Sequence, residues 1–414
     1  MKKFIAILIA VLAVFALVAC TTTTNNNENQ DATQKPADAV DYSKVKIGVI
    51  CLHDENSTYD ANFINAIKDI QKKLGLADNQ VIVRTGVDES EACYNAAAEM
   101  AEDGCTIVFA DSFGHEDYMI QAAKEFTNVQ FCHATGTQAK TAGVANFHNA
   151  FASIYEGRYL AGIAAGMKLN EMIEAGKITA DKAKMGYVGA HPYAEVISGY
   201  TSFFLGARSV CPSVTMEVTY TGSWFDIALE KSAAESLISS GCVLISQHAD
   251  SEGAPKACEA AGVPNVAYNI STIPLGPNTA VISSKINWAP YFEMIINNLI
   301  NGIDTPIDYC GTIATGAVQM TELNPVFATD EINAKAEEMW TKLTNGDVKV
   351  FATDKWTVAG ETLTEHLIVW RFGTFNIIKD GMANGYFDES NAEEFKSAPA
   401  FDFLIDGIGI DVIP

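Results

Sequence analysis

The sequence predicts an α/β protein built from two doubly wound parallel-sheet lobes joined by a hinge. Short β-branched segments alternate with longer segments of helical periodicity, a pattern typical of a parallel sheet covered on both faces. Three landmarks also recur at an offset of 137 or 138 residues. These are Lys46-Ile47-Gly48 with Lys184-Met185-Gly186, Asp88 with Asp226, and Gly104-Cys105 with Gly241-Cys242. The alternative, one barrel of parallel strands, explains this repeat less directly.

The first lobe is expected to begin with a strand at 45–52 and a helix at 59–74. The helix has apolar residues at helical spacing and ends at Gly75, a residue type common just after helices. Asp88 is predicted to cap the next helix. The elements expected after the first helix are a strand at 81–83, a helix at 88–102, a strand at 105–110, a helix at 115–126 and a strand at 129–133.

A long helical stretch at 151–176 is expected between the lobes, and its small residues at 161–166 permit close helix packing. No GxGxxG or GxxxxGK[ST] phosphate loop occurs in the chain. The later elements expected are a strand at 279–284, helices at 288–301 and 330–343, and a tail of short strands and turns. The expected domains are 1–19 (signal peptide), 20–43 (flexible tether), 44–165 with a return near 284–315 (first lobe), 166–283 with a return near 316–345 (second lobe), and 346–414 (strands and turns completing the lobes).

Composition narrows the possible functions. The chain has 414 residues, 48% hydrophobic and 19% charged, which is enough apolar material for a large core. The net charge of −24 repels phosphate backbones, so nucleic acid is not an expected partner.

The N-terminus has the features of an export signal. Lys2 and Lys3 precede an apolar run at 4–19, which is shorter than the about 20 residues of a bilayer-spanning helix. The run ends in Leu17-Val18-Ala19-Cys20, which resembles a bacterial lipobox. This resemblance implies cleavage before Cys20 and a diacylglycerol on its sulfur. The alternative is an ordinary signal peptide with an incidental cysteine.

The remaining eight cysteines do not form a metal or redox motif. No CxxC pair occurs, and Cys51, Cys105, Cys132 and Cys242 lie in apolar strand-like runs. We expect mostly free thiols, no metal and no cofactor. The sequence also lacks a GxSxG elbow and carboxylates paired at an informative spacing, so we do not expect an enzyme.

A ligand cleft is expected where the loops after the strands of the two lobes face each other. In open parallel sheets, ligands bind beyond the carboxyl ends of the strands. The cleft-facing loops predicted in this way are 53–59, 111–117, 190–195, 221–226, 247–252 and 269–273, with 283–288 returning to the same region. The candidate ligand-binding residues in these loops are Tyr59, Ser112, Phe113, Trp224, His248, Asp250, Asn269 and Trp288.

These side chains suit a flat, polar, aromatic ligand. Rings from opposite lobes would stack on the faces of the ligand. Carboxylate or amide groups would form hydrogen bonds with the N–H and carbonyl groups at its edge. These residues can also have a purely structural role. Tyr59 can pack against the start of its helix, Trp224 and Trp288 can lie in the core, and Asp250 can cap a helix.

Short motifs, taken together and in order, resemble the basic membrane protein/Med family of substrate-binding lipoproteins over about residues 45–302. The motifs are Asp111-Ser112-Phe113-Gly114, His133-Ala134-Thr135-Gly136, Tyr155-Glu156-Gly157-Arg158-Tyr159-Leu160-Ala161-Gly162, Leu205-Gly206-Ala207-Arg208-Ser209, Trp224-Phe225-Asp226 and Gln247-His248-Ala249-Asp250-Ser251. The resemblance implies a type I periplasmic-binding-protein fold, a purine bound between the lobes, hinge closure, and delivery to an ABC permease.

Particular residues refine what the resemblance implies. Tyr59 and Trp224 match aromatic residues of the family site. Asn269 stands where relatives tend to carry an Asp that contacts ribose in nucleoside binders, which favours a nucleobase here. The motifs resemble the branch of the family associated with purine nucleobases, and Ser57 stands where that branch often has Trp. Arg158 is expected to be structural. We expect a monomer, held at the extracytoplasmic face of the membrane by its lipid. The alternatives are a binding protein for a sugar or signal molecule, or a sensor.

Overall fold

The structure, a computed structural model, describes residues 40–370, 373–376, 378–379, 385–387, 389, 397 and 399–411. The expected signal peptide, Cys20 and most of the expected tether lie outside these residues. None of the helices formed by the described residues is long and apolar enough to cross a membrane.

The elements alternate along the chain as the sequence pattern predicts. The strands are β1 (Ile47–Ile50), β2 (Val81–Arg84), β3 (Ile107–Ala110), β4 (Gln130–Ala134), β5 (Phe147–Ala152), β6 (Lys184–Gly189), β7 (Thr215–Tyr220), β8 (Leu244–His248), β9 (Asn265–Tyr268), β10 (Ala280–Ile286), β11 (Asp308–Gly311), β12 (Val318–Met320), β13 (Leu367–Trp370), β14 (Gly373–Asn376), β15 (Ile378–Lys379), β16 (Tyr386–Phe387) and β17 (Ile408–Ile410). The α-helices are α1 (Thr58–Leu74), α2 (Glu91–Glu102), α3 (Glu116–Glu125), α4 (Ile154–Glu174), α5 (Ala194–Val210), α6 (Ile227–Ser239), α7 (Gly253–Ala261), α8 (Ala289–Asn301) and α9 (Asp330–Thr344).

Two large sheets define two lobes, which confirms the predicted fold class. The first lobe is a six-stranded parallel sheet in the order β11-β5-β4-β3-β1-β2, packed with α1, α2, α3 and α8. The second lobe is a seven-stranded sheet in the order β12-β10-β9-β8-β6-β7-β17, packed with α4, α5, α6, α7 and α9. Its strands are parallel except β12, which is antiparallel to β10.

The chain crosses between the lobes after β5, after β10 and after β11. These crossings lie side by side. The backbone N–H of Ser153 donates to the Gly311 oxygen at 2.7 Å, and that of Asn287 donates to the Ala317 oxygen at 2.7 Å. Parallel connections of this kind form a hinge about which two lobes can close on a ligand.

Two helices, α2 and α4, begin three residues later than the sequence predicts. Asp88 does not cap α2, because the backbone of Ser90 is extended and its hydroxyl accepts the Ala92 N–H, so the helix begins at Glu91. The helix expected from residue 151 begins at Ile154, because β5 continues through Ala152. Asp226 does cap α6, as its carboxylate accepts the first backbone N–H groups of that helix.

Small residues bring α4 and α5 into close contact, as the sequence predicts. A Cβ atom on Gly162 would lie 2.0 Å from the Phe203 carbonyl oxygen, and one on Gly206 would lie 2.0 Å from the Tyr159 oxygen. Since neither backbone can give way easily, glycine is needed at both positions. This contact fixes α4 against the second lobe.

The C-terminal part of the chain contacts both lobes. Strand β17 pairs with β7 of the second lobe, and the Ser198 hydroxyl of α5 donates to the Glu389 carboxyl group at 2.8 Å. The Ser397 N–H donates to Asp308 of β11 in the first lobe at 3.0 Å. The end of the chain therefore packs on both sides of the hinge.

Candidate functional site

A cavity lies between the lobes, beyond the carboxyl ends of their parallel strands, where such sheets usually bind ligands. Both lobes contribute to its walls. The residues that line it are Leu52, His53, Tyr59, Asp60, Ser112, Phe113, Thr135, Glu195, Trp224, His248 and Asp250.

The structure brings together six of the eight side chains predicted as ligand contacts. The first lobe supplies three of them, from the start of α1 and from the segment after β3. The second lobe supplies the others, from the loop after β7 and from the end of β8 with the loop that follows it. The six are Tyr59, Ser112, Phe113, Trp224, His248 and Asp250.

Asn269 lies behind the cavity wall rather than on it. Its side chain is 1% exposed, and its Oδ1 atom accepts a hydrogen bond from Asn62 at 2.9 Å. Its Nδ2 atom lies 3.5 Å from Asp250 Oδ1. The residue has a left-handed φ of 69°, which amides tolerate better than most side chains. Asn269 is thus placed to orient Asp250.

Trp288 also does not border the cavity. Its side chain is 2% exposed and stacks on Phe63 with ring centroids 4.4 Å apart. Phe109 packs edge-on against the same ring at 5.6 Å. Where the chain crosses into α8, the indole points into the core of the first lobe. Trp288 is therefore a core residue, which was the alternative to a ligand contact.

Four polar residues on the cavity wall were not among the predicted contacts: His53, Asp60, Glu195, and Thr135, which directly follows β4. His53 and Asp60 lie in and just after the predicted loop at 53–59, and Glu195 ends the predicted loop at 190–195. Both acids occupy the first turn of a helix, where a carboxylate has a structural explanation in the helix dipole. Their sequence positions therefore gave no separate sign of a ligand.

Aromatic rings from the two lobes meet at the edge of the cavity. Phe113 of the first lobe and Tyr193 of the second have ring centroids 5.9 Å apart. The Tyr193 ring stacks on His191 at 5.0 Å, and Trp224 packs against His191 at 5.0 Å. Aromatic pairs at these distances are mutually attractive. They form a bridge of rings between the lobes.

Hydrogen bonds also cross the cleft. The Thr58 N–H of the first lobe donates to the Asp250 backbone oxygen of the second at 2.9 Å, and Asn62 reaches Asn269 as described above. The volume of the cavity is about 20 Å³. This volume holds only one or two water molecules. The lobes are therefore closed on each other, and a larger occupant requires them to separate.

Carboxyl groups dominate the electrostatics of the cavity. Burial, followed by the charges of Glu230, Asp60 and Glu195, raises the pKa of Asp250 well above its ordinary value. Burial also opposes ionisation of Asp60, but hydrogen bonds from His53 and Ser57 lower its pKa overall. An ionised carboxylate only accepts hydrogen bonds. The wall therefore offers acceptors to ligand N–H or O–H groups, and the protonated form of Asp250 can also donate one hydrogen bond.

His248 is uncharged at neutral pH. Burial, followed by the positive charge of Arg158, lowers its pKa to about 4, although Glu195 opposes this effect. Its Nε2 atom lies 3.4 Å from Glu195 Oε1. A neutral imidazole beside a carboxylate offers one donor and one acceptor to its surroundings.

Cys51, Asp60 and Asp111 form a buried group, with potential metal-ligand atoms within 4.8 Å of one another, of which Asp60 also lines the cavity. The protein itself uses these carboxyl groups. Asp60 accepts the His53 N–H at 2.8 Å, and Asp111 accepts the Leu52 N–H at 3.1 Å. Burial and the neighbouring Asp60 raise the pKa of Asp111 well above its ordinary value. Each of the two carboxyl groups thus has a backbone partner within the protein.

Comparison with known proteins identifies relatives of the chain. The family model for PnrA-like ABC transporter substrate-binding proteins matches residues 44–354. A purine-binding protein of Brucella abortus is 28% identical over 336 residues, which cover 79% of this chain and 90% of that protein. A putative ABC transporter glucose-binding protein of Haloferax volcanii, TsgA13, is 30% identical over 254 residues, covering 61% of each chain.

Solved structures share the fold. A solute-binding protein of an ABC transporter system from Aeropyrum pernix superposes with a TM-score of 0.61 at 16% identity, covering 75% of this chain and 93% of that one. A solute-binding protein from Conexibacter woesei gives 0.58 at 19% identity, covering 73% and 97%. The family predicted from the motifs is thus confirmed, and it is a family of solute-binding proteins, not enzymes. The chain belongs to the PnrA-like family of ABC transporter substrate-binding proteins.

Proposed function

We propose that this protein binds a purine nucleobase in the interlobe cavity and delivers it to an ABC permease. The observation that carries the proposal is the convergence of stacking rings and hydrogen-bond acceptors from both lobes: Tyr59, Phe113 and Trp224 with Asp250 and Glu195. A purine has flat faces for the rings and N–H groups for the carboxylates. The Brucella relative, named as purine-binding, supports this ligand class.

A free base is favoured over a nucleoside. The position expected to contact ribose carries Asn269, which is 1% exposed and lies against Asp250 behind the wall. It has no direct access to the cavity. We infer that the polar contacts of the cleft serve the base and its exocyclic groups.

A sugar is the second candidate, because the Haloferax relative is named as a putative glucose-binding protein. Carboxylates that accept hydrogen bonds also suit sugar hydroxyl groups. A ring stacked on one face would serve either ligand. The two proposals differ in whether an aromatic ligand is required.

Thermal unfolding of the purified protein with a ligand panel tests the proposal. The panel contains adenine, guanine, hypoxanthine, xanthine, their nucleosides and a set of sugars. A ligand at 100 times its Kd stabilises the folded state by about 2.7 kcal/mol, so we expect a clear rise in Tm with one or more bases. A rise with nucleosides alone would restore a ribose site, and a rise with sugars alone would refute the purine proposal. If no ligand raises Tm, the protein is denatured and its extract examined for co-purified purine by absorbance.

We further propose that the mature protein is a lipid-anchored monomer on the extracytoplasmic face of the membrane, attached through Cys20. Two or more acyl chains suffice for stable anchoring, since each buried methylene contributes about 0.8 kcal/mol. Substitution Cys20→Ser is expected to abolish palmitate labelling and to move the protein out of the membrane fraction. The control Cys310→Ser, which alters a cysteine of β11, should remain labelled. Equal labelling of the Cys20→Ser variant would contradict the anchor.

A further inference from the structure

Arg158 lies near the start of α4, directly behind the loop that carries His248 and Asp250. Its side chain is 1% exposed. Its Nη1 atom donates a hydrogen bond to the backbone oxygen of Gln247 at 2.8 Å, and its guanidinium carbon lies 3.5 Å from the centre of the Tyr268 ring. A cation over an aromatic face is attracted by the ring. Arg158 therefore contacts the base of the ligand-facing loop.

That loop is held mainly through Gln247. Its Nε2 atom donates to the backbone oxygens of Ala249 and Ser251, at 2.9 and 3.0 Å. The N–H of Ser251 in turn donates to the Glu230 carboxyl group at 3.1 Å. Since Arg158 holds the Gln247 carbonyl, it fixes one end of this network. A shift of that carbonyl would displace the turn that presents Asp250.

The charge of Arg158 has no direct counter-ion in the described part of the chain. Its Nε and Nη2 atoms are buried and find no hydrogen-bond partner among the described residues. Buried charges are normally paired, because an unpaired one is costly to desolvate. The positive charge of Arg158 acts on Asp250, because it lowers the pKa of that carboxyl group against the effect of burial.

We propose that Arg158 is a positioning residue of the ligand site: it fixes the loop at 247–251, and its positive charge favours the ionised form of Asp250 and the neutral form of His248. The inference rests on the proposed purine-binding function, because it concerns the two side chains offered to the ligand, His248 and Asp250. The proposal also gives Arg158, which the sequence analysis treats as structural, a role at the ligand site.

The ionisation of both ligand-facing groups depends on this charge. Arg158 lowers the pKa of Asp250 against the raising effects of burial and of three carboxyl groups, and it adds to the effect of burial in lowering the pKa of His248 to about 4. The groups that face this pair are Arg158 from α4, Glu195 from α5, Glu230 from α6, Asp60 and Tyr59 from α1, and Tyr268 from β9.

The ionisation of Asp250 determines how ligand affinity changes with pH. The ionised form of Asp250 accepts a hydrogen bond from a purine N–H more strongly than the protonated form, so affinity rises with pH as Asp250 loses its proton. Without the positive charge, the pKa of Asp250 is higher, and this rise in affinity moves to higher pH. The pKa of His248 moves up as well, because its charged form is no longer repelled.

Two substitutions separate the contact from the charge. Arg158→Gln retains a donor for the Gln247 carbonyl but has no charge, and Arg158→Lys retains the charge. The matched control is Lys168→Gln, which removes another buried cation of α4 that pairs with Glu171 and lies 4.5 Å from the centre of the Phe327 ring. Lys168 does not border the cavity.

Adenine affinity is measured as a function of pH, and the titration of His248 is followed by NMR in the ligand-free protein. The His248 signal is assigned by its loss in His248→Gln. We expect Arg158→Gln to weaken adenine binding by about 10- to 100-fold, because Asp250 is less ionised at a given pH and its hydrogen bond with the ligand loses the contribution of the charge. The affinity should recover as pH rises, and the His248 midpoint should move upward. Arg158→Lys and Lys168→Gln should keep both pH profiles close to wild type.

An unchanged His248 midpoint and an unchanged pH profile in Arg158→Gln would overturn the proposal. So would an Arg158→Lys variant that shifts as far as Arg158→Gln. If Arg158→Gln does not fold, Arg158→Lys decides: because it retains the charge, it should keep the wild-type His248 midpoint and pH profile of adenine affinity, and a shift in either would overturn the proposal. If wild type binds no purine, the proposed function fails, while the ligand-free titration still tests Arg158.

Discussion

Replacing Trp224 with alanine is expected to weaken purine binding by about 10- to 100-fold, because a base that stacks on an aromatic side chain gains about 1–3 kcal/mol from it. Trp224 borders the cavity from the loop after β7 and packs against His191 and Tyr193. The ring is half-buried and lies at the cleft, so its loss should alter the free energy of unfolding little. Calorimetric titration with adenine and urea unfolding of the ligand-free variant measure the two effects.

A matched control is available in Trp340. This half-buried tryptophan of α9 lines an apolar groove beside α4 rather than the interlobe cavity. Trp340→Ala should therefore retain wild-type adenine affinity. Retained affinity in Trp224→Ala would remove Trp224 from the site, and equal losses in both variants would indicate a general effect on the fold.

The parts of the site that the sequence predicts are those fixed by topology. Ser112 and Phe113 follow β3, Trp224 follows β7, and Asp250 follows β8. In a parallel sheet, the residues just after each strand must emerge at one edge, whatever the details of packing. The strand pattern alone was therefore enough to place them at the cleft.

Other parts depend on geometry that periodicity does not encode. Asp60 and Glu195 stand in the first turns of helices, where a carboxylate is favourable with or without a ligand. The role inferred for Arg158 depends on how α4 packs against the loop after β8. Strand β17 pairs with β7, nearly two hundred residues earlier in the chain, and strand propensity carries no information about so distant a partner.

Trp288→Ala is expected to have the opposite effect to Trp224→Ala, with a large loss of stability. Truncating a buried tryptophan typically costs about 3–5 kcal/mol, through lost transfer energy and the cavity left behind. Trp288 is 2% exposed and contacts Phe63 and Phe109 in the core of the first lobe. Urea unfolding should show the decrease directly. Adenine affinity should stay near wild type under conditions where the variant remains folded, since the ring does not border the cavity.

The variant Trp288→Phe distinguishes packing from any polar role of the indole. Its Nε1 atom is buried and has no hydrogen-bond partner among the described residues, so phenylalanine removes an unsatisfied donor while keeping most ring contacts. The stability cost should therefore be well below that of alanine. If instead Trp288→Ala leaves the free energy of unfolding unchanged and abolishes adenine binding, the indole acts on the ligand, as its place in the chain after β10 first suggested. The two substitutions thus distinguish a tryptophan that stabilises the fold, Trp288, from one that contributes to ligand affinity, Trp224.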